Sequence, residues 1–217
     1  NNGSYGDIVG FGYKRNEQGQ ILVGDDGRPL ASDEQQTFGN FNPDWIGGLT
    51  SNFRYKDFSF RFLISSKVGG QILSRTDMIL DVNGNSTRTL QGREGGVVVP
   101  NSIVESTGAV NTTAVPAQEY YQTVAGERII EDYVFDADYV KLKELAIGYN
   151  LPQSLISKLN ISSASIQLIG RNLFFFHRET ESFDPEVSGF NTRNAQGVEL
   201  LSLPGTRSYG LNLSVKF

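Results

Sequence analysis

Large apolar side chains recur at every second position in short bursts, and the spacers between bursts alternate between short and long. The last burst is the clearest: Tyr209, Leu211, Leu213, Val215 and Phe217 alternate with Gly210, Asn212, Ser214 and Lys216. Phe58, Phe60, Phe62 and Ile64 repeat the pattern. Trp45, Gly47, Leu49, Phe53 and Tyr55 share a face opposite Asp44, Thr50, Asn52 and Arg54. Val9, Phe11 and Tyr13 alternate with glycines, and Ala164, Ile166 and Leu168 keep one parity up to Gly170. One segment changes parity part-way, with Val140 and Leu142 even but Leu145, Ile147 and Tyr149 odd. A one-residue bulge near Lys143–Glu144 would return these side chains to a single face. Together the segments predict about six strands of roughly 8–12 residues.

The connections restrict the fold further. Lys56-Asp57 alone separates Tyr55 from Phe58, and a compact turn spans 150–162. The other spacers run about 30 residues (14–43), about 65 (71–136) and about 30 (177–205). A connection near 65 residues is foreign to a small soluble domain. If neighbouring strands are antiparallel, every short turn falls at one end of the sheet and every long loop at the other. That asymmetry is the plan of an all-β transmembrane barrel, with short periplasmic turns and long extracellular loops. Strand 206–217 then runs inward. Tyr55, Tyr149 and Phe217 mark the inner interface, and Tyr13, Trp45, Tyr139, Phe174 and Tyr209 the outer one. The competing reading is a soluble all-β glycan-binding module, a sandwich whose apolar faces meet in a core, since inward burial produces the same alternation.

Composition removes other classes. With no cysteine there is neither a disulfide framework nor thiol chemistry. Nineteen basic against 24 acidic side chains, without a basic block, give no nucleic-acid footprint. No apolar run approaches the ~18 residues of a membrane helix. The opening Asn1–Gly10 lacks the charged-then-apolar start of a signal peptide, so either the mature chain begins here or its front is missing. No catalytic constellation is expected. His177, the single histidine, has no nucleophile-elbow motif to serve. Asp81-Val-Asn83-Gly-Asn85 reads as a turn, because Gly92 stands where a calcium loop needs Glu. Gly92-Arg93-Glu-Gly95-Gly96 is followed by no Lys-Ser/Thr, and Glu179, Glu181, Asp184 and Glu186 read as a wet loop. No cofactor or metal is expected.

Gly39-Asn-Phe-Asn-Pro43-Asp-Trp45, followed by Tyr55-Lys-Asp57-Phe58, resembles a hairpin of SusC/RagA-type, TonB-linked outer-membrane transporters. The resemblance continues through Gly69-Gly70-Gln71-Ile72, Asp138–Pro152, Gly170-Arg-Asn172-Leu-Phe174, Asp184-Pro-Glu186 and Pro204–Phe217. Lys143 stands where the family more often has Arg. The resemblance implies a barrel of about 22 strands plugged by an N-terminal domain. Residues 1–217 would then be its C-terminal part, without the plug and most of the wall. It further implies import of oligosaccharides or peptides across the outer membrane of a Gram-negative bacterium, and no catalysis. The implied partners are a SusD-like surface lipoprotein, the TonB complex through the plug, the barrel-assembly machinery and membrane lipid. Tyr209, Leu211, Leu213, Val215 and Phe217 resemble the assembly machinery's C-terminal signal, an amphipathic edge strand suited to strand addition. Arg61, Lys141, Glu144, Gln167, Arg171, Asn212 and Lys216 are the candidates to line a solvated lumen, where they would meet substrate or plug. The long loop 71–136, with Arg93, Tyr120 and Tyr121, is expected to face outside and to touch substrate or a lid partner.

Overall fold

A computed structural model describes residues 3–186 and 196–217. Its strands are β1 (Asp7–Gly10), β2 (Ile21–Val23), β3 (Gln36–Asn40), β4 (Trp45–Tyr55), β5 (Phe58–Val68) and β6 (Gln71–Ser74). They continue with β7 (Ser102–Val104), β8 (Val134–Asp136), β9 (Tyr139–Asn150), β10 (Ser163–Arg178), β11 (Val198–Glu199) and β12 (Ser208–Lys216). Three α-helices accompany them: α1 (Arg75–Val82), α2 (Ala117–Gly126) and α3 (Gln153–Ile156). The chain divides into two compact units.

The first unit comprises Pro43–Gly69, Ala137–Pro185 and Leu203–Phe217. It is built on one antiparallel sheet of five strands in the order β12-β10-β9-β5-β4. The sheet does not close, and β4 and β12 form its edges among the described residues. Lys56-Asp57 turns β4 into β5, with Lys56 in the left-handed region at φ 52° and Tyr55 opposite Phe58. The 150–162 turn carries α3. It is tied down by the Asn150 N–H donating to the Asp57 carbonyl at 2.8 Å and the Leu151 N–H to that of Ala164 at 2.8 Å. Both long connections of this unit leave from the opposite end, after β5 and after β10.

Register carries the apolar side chains from strand to strand. Tyr55, Phe58, Tyr149, Ile166 and Leu213 form one row across all five strands. Phe53, Phe60, Ile147, Leu168 and Leu211 form the next, and Leu49, Ile64, Leu142 and Phe174 another. The expected bulge is present. Leu63 pairs with Glu144 but Ile64 with Leu142, so Lys143 is the extra residue on β9. The β10 ladder shifts at the same place, with Arg171 opposite Glu144 and Phe174 opposite Leu142. This apolar face stays open. Leu211 is 66% exposed, Tyr209 76% and Phe217 90%, and Trp45, Phe53, Phe58 and Leu168 are all exposed. A sandwich would have covered them.

The second unit lies within Asn1–Asn42, Gly70–Asp136 and Glu186–Ser202. The long connections were expected as loops; instead they fold. Ile8, Tyr13, Ile21, Val23, Leu73, Met78, Val99, Val124, Ile129 and Tyr133 make a buried core. Short strands pair across great sequence distance around it: β1 with β3, β2 in parallel with β7, and β6 between β8 and β11. Two expectations are corrected here. The 9–13 segment is no part of the five-stranded sheet, because its four-residue β1 pairs with β3 instead. Tyr13 does not mark an interface. It is buried, donating to Asp132 Oδ2 at 2.5 Å with its hydroxyl 3.0 Å from that of Tyr120. Burial, reinforced by Tyr120 and Asp132, pushes its phenol far above the ordinary 10, so it stays protonated.

Lys143 is the extra residue, so deleting it brings Leu142 next to Glu144 and leaves Val140, Leu142, Leu145, Ile147 and Tyr149 in strict alternation on one face. Deleting Ala146 instead makes Leu145 and Ile147 adjacent and forces one of them to the polar face. In a full-length receptor carrying this segment, the heat-modifiable folded band on a gel should survive deletion of Lys143 and be lost on deletion of Ala146.

Candidate functional site

The opposite face of the five-stranded sheet is the candidate site. Its rows are polar where the others are apolar. One reads Arg54, Ser59, Gly148, Gln167 and Asn212, and another Thr50, Leu63, Glu144, Arg171 and Ser208. Arg61 opposes Ala146, one row from Glu144, and Lys141 opposes Ser65. Register thus places Arg61, Lys141, Glu144, Gln167, Arg171 and Asn212 together on one face, as read from the sequence, with Lys216 at its end.

Two charged groupings organise this face. Glu144 lies between two guanidinium groups, its Oε1 3.5 Å from Arg61 Nε and its Oε2 accepting from Arg171 Nε at 3.1 Å. The carboxylate is largely covered, while the Arg61 and Arg171 side chains are 51% and 62% exposed. Further along, Lys141 Nζ donates to Asp184 Oδ2 at 2.8 Å, with side chains only 5% and 10% exposed. The ammonium also sits 4.5 Å from the centroid of the Phe175 ring, over its face. So Asp184, expected in a wet loop, is drawn onto the sheet. Its acidic neighbours disperse, Glu179 standing 3.1 Å from His177 at an exposed position. Among the described residues no cluster of three metal-ligating side chains occurs. Tyr139, expected at an interface, is buried on the polar side with its ring edge-on to Phe175 at 5.9 Å.

The motif residues act as joints at the end where the long connections leave. Gly69 has φ +77°, and a Cβ there would lie 2.3 Å from Asp44 Oδ2. Its N–H donates to Asp138 Oδ1 at 2.7 Å. The Asp44 N–H in turn donates to the Val68 carbonyl at 2.9 Å. Only glycine meets the backbone requirement at Gly69 without strain. The Asn40 side chain accepts from the Asn42 N–H at 2.9 Å, an Asx turn that opens the approach to β4.

The sequence did not reveal the interior of the folded connections. There Asp81, fully buried on α1, accepts from the Tyr133 hydroxyl at 3.0 Å and lies 3.4 Å from Arg88 Nη2. Asp81-Val-Asn83-Gly-Asn85 is the end of that helix and the turn after it. Arg93 donates to Thr89 Oγ1 at 2.9 Å and to the Gly84 carbonyl, fixing the following segment to that turn. Tyr133 carries a phenol that burial and Asp81 push far above its usual value. A cleft of about 450 Å³ lies alongside, lined by Thr89, Arg93, Gln118 and Tyr121 among others.

An open antiparallel sheet, apolar on one side and charged on the other, with folded insertions leaving from one end, defines a segment of a large membrane-barrel wall. Relatives agree. The chain is 27% identical over 205 residues to TonB-dependent receptor P3 of Formosa agariphila, covering 92% of this chain and 19% of that protein. It is 26% identical over 190 residues to TonB-dependent receptor P39 of the same organism, covering 86% and 17%. The structure of the RagAB peptide importer in its open-open state superposes with a TM-score of 0.64 at 18% identity, over 97% of this chain and 22% of that one. The closed-closed state gives 0.61 at 17% identity, over 97% and 23%. No protein-family model matches. The chain is therefore similar in sequence to a portion of TonB-dependent receptors and in fold to a portion of the RagAB importer. It spans about a fifth of the length of the curated relatives it matches.

The Lys141–Asp184 pair yields a prediction. Lys141→Met strips Asp184 of this partner and should cost roughly 3–5 kcal/mol. Adding Asp184→Leu should recover much of that loss, and limited proteolysis of segment 179–185 reads both effects.

Proposed function

We propose that the chain is the C-terminal part of the barrel wall of a transporter that imports oligosaccharides or peptides across the outer membrane of a Gram-negative bacterium. Energy would arrive from TonB through a plug domain elsewhere in the protein. One observation carries this reading: the apolar rows of the five-stranded sheet are open to the surroundings. A fully exposed large apolar side chain forgoes roughly 1.5–3 kcal/mol relative to burial. More than ten such residues, even partly exposed, forgo on the order of 20 kcal/mol. That exceeds the ~5–15 kcal/mol by which a domain is stable, so the face belongs against hydrocarbon.

The rest of the receptor follows from the same physics. Unpaired backbone groups at the outer edges of β4 and β12 are not tolerated in a bilayer, so further strands of the wall pair with both. With Lys56-Asp57 and the 150–162 turn in the periplasm, the folded connections stand outside the cell. There they would meet substrate and a SusD-like lipoprotein, the role that the RagAB resemblance suggests. Arg61, Lys141, Glu144, Gln167, Arg171 and Asn212 would face the lumen, touching solute or plug. Tyr209, Leu211, Leu213, Val215 and Phe217 would form the strand read by the barrel-assembly machinery.

The test is uptake by cells dependent on the full-length receptor. Deleting TonB should stop import of its oligosaccharide or peptide as completely as deleting the receptor, and import that persists without TonB would sink the proposal. Removing Phe217 should lower the amount of folded receptor in the outer membrane several-fold, read by immunoblot of membrane fractions, without changing its synthesis.

A further inference from the structure

The chain carries five more negative than positive charges, yet the polar face of the sheet is strongly cationic. Arg54, Arg61, Lys67, Arg171 and Arg178 lie on it, and Glu144 is the one carboxylate that its strands supply. Lys141 is neutralised by Asp184 arriving from the segment after β10. At Arg61 and Arg171 two positive charges share a single carboxylate.

The geometry at that triad is specific. Each arginine approaches Glu144 through Nε, at 3.5 Å from Arg61 and 3.1 Å from Arg171. A guanidinium has five N–H donors in a rigid planar fork. The Nη groups of both residues therefore remain available, on side chains more than half exposed. Glu144, only 18% exposed, is placed to orient the two forks while offering little of its own charge to an arriving solute. Two oriented guanidinium groups around one covered carboxylate leave a net positive charge, a donor set that matches a carboxylate or sulfate oxyanion. A neutral sugar has no use for that excess.

We infer that Arg61 and Arg171 form an oxyanion-binding station, so that the transported solute bears a carboxylate or sulfate group. This rests on the reading of the polar face as a transport lumen. In such a lumen a ring of Arg or Lys selects anions. Partial pairing with Glu144 keeps the grip weak enough for release. Gln167 and Asn212, in the next row, are neutral hydrogen-bonding partners for the remainder of the solute.

The experiment measures binding to the purified full-length receptor by calorimetry. The probes are an oligogalacturonate against a malto-oligosaccharide of equal length, and a Glu-containing pentapeptide against its Gln analogue. The expected result is that one acidic probe binds more tightly than its neutral counterpart, which identifies glycan or peptide as the source of the oxyanion. Its preference should fall at least about tenfold in Arg61→Gln/Arg171→Gln, the scale of a lost charge-assisted bidentate contact. Arg61→Lys/Arg171→Lys, which keeps the charge but not the fork, should fall between. If the Gln variant does not fold, the Lys variant and a salt titration decide: acidic-probe binding must weaken with added NaCl while neutral-probe binding does not. Equal affinity for acidic and neutral probes in the unaltered receptor overturns the inference. So does a lowered melting temperature in the Gln variant with unchanged discrimination, which assigns the two arginines to the plug. Both results leave TonB-dependent uptake intact, so failure here is distinct from failure of the transport reading.

Discussion

Leu145, Ile147 and Tyr149 stand on the same face as Val140 and Leu142 because Lys143 is left out of both ladders flanking β9. β9 is the middle strand of the five, so a slip there would break every row that crosses it. With the bulge in place, apolar side chains run unbroken from Tyr55 on one edge strand to Leu213 on the other. The same extra residue sends Lys141 and Glu144 to the opposite side together. One local irregularity thus sets both the open apolar surface and the charged surface behind it.

The charged surface is arranged, not merely solvated. Lys141 and Asp184 are buried as a pair against Phe175, a costly arrangement that bolts the segment after β10 onto the sheet. Glu144, by contrast, is shared between two exposed arginines. The first grouping spends its charge on structure, and the second leaves two guanidinium groups more than half exposed.

Much of this wall could be read from residue order. The alternation in β4, β5, β10 and β12, the Lys56-Asp57 turn and the bulge beside Glu144 are local signals, and each places side chains on a face without reference to distant residues. The candidate lumen residues follow from the same parity. The folded connections were illegible because their structure is non-local. Ile21 pairs with Ser102, and Leu73 with Val198, through strands too short to carry a period. Val9, Phe11 and Tyr13 show the limit most plainly. Their alternation looks like that of the wall, yet of the three only Tyr13 enters the small core, with Ile8 buried there and Val9 left exposed, so parity alone does not say what an apolar face meets. Tyr139 misled for a related reason, since Phe175 covers it from the next strand.

Site-directed fluorescence in reconstituted vesicles addresses the membrane placement directly. Single cysteines at Phe60, Ile147, Leu168 and Leu211, labelled in the full-length receptor, should be quenched by nitroxide-bearing lipid and shielded from aqueous iodide. Cysteines at Gln167, Arg171 and Asn212, each one to three positions away along the same strands, should show the reverse. Iodide quenching at both sets of positions, with no response to nitroxide lipid, would mean that the apolar rows never meet a bilayer.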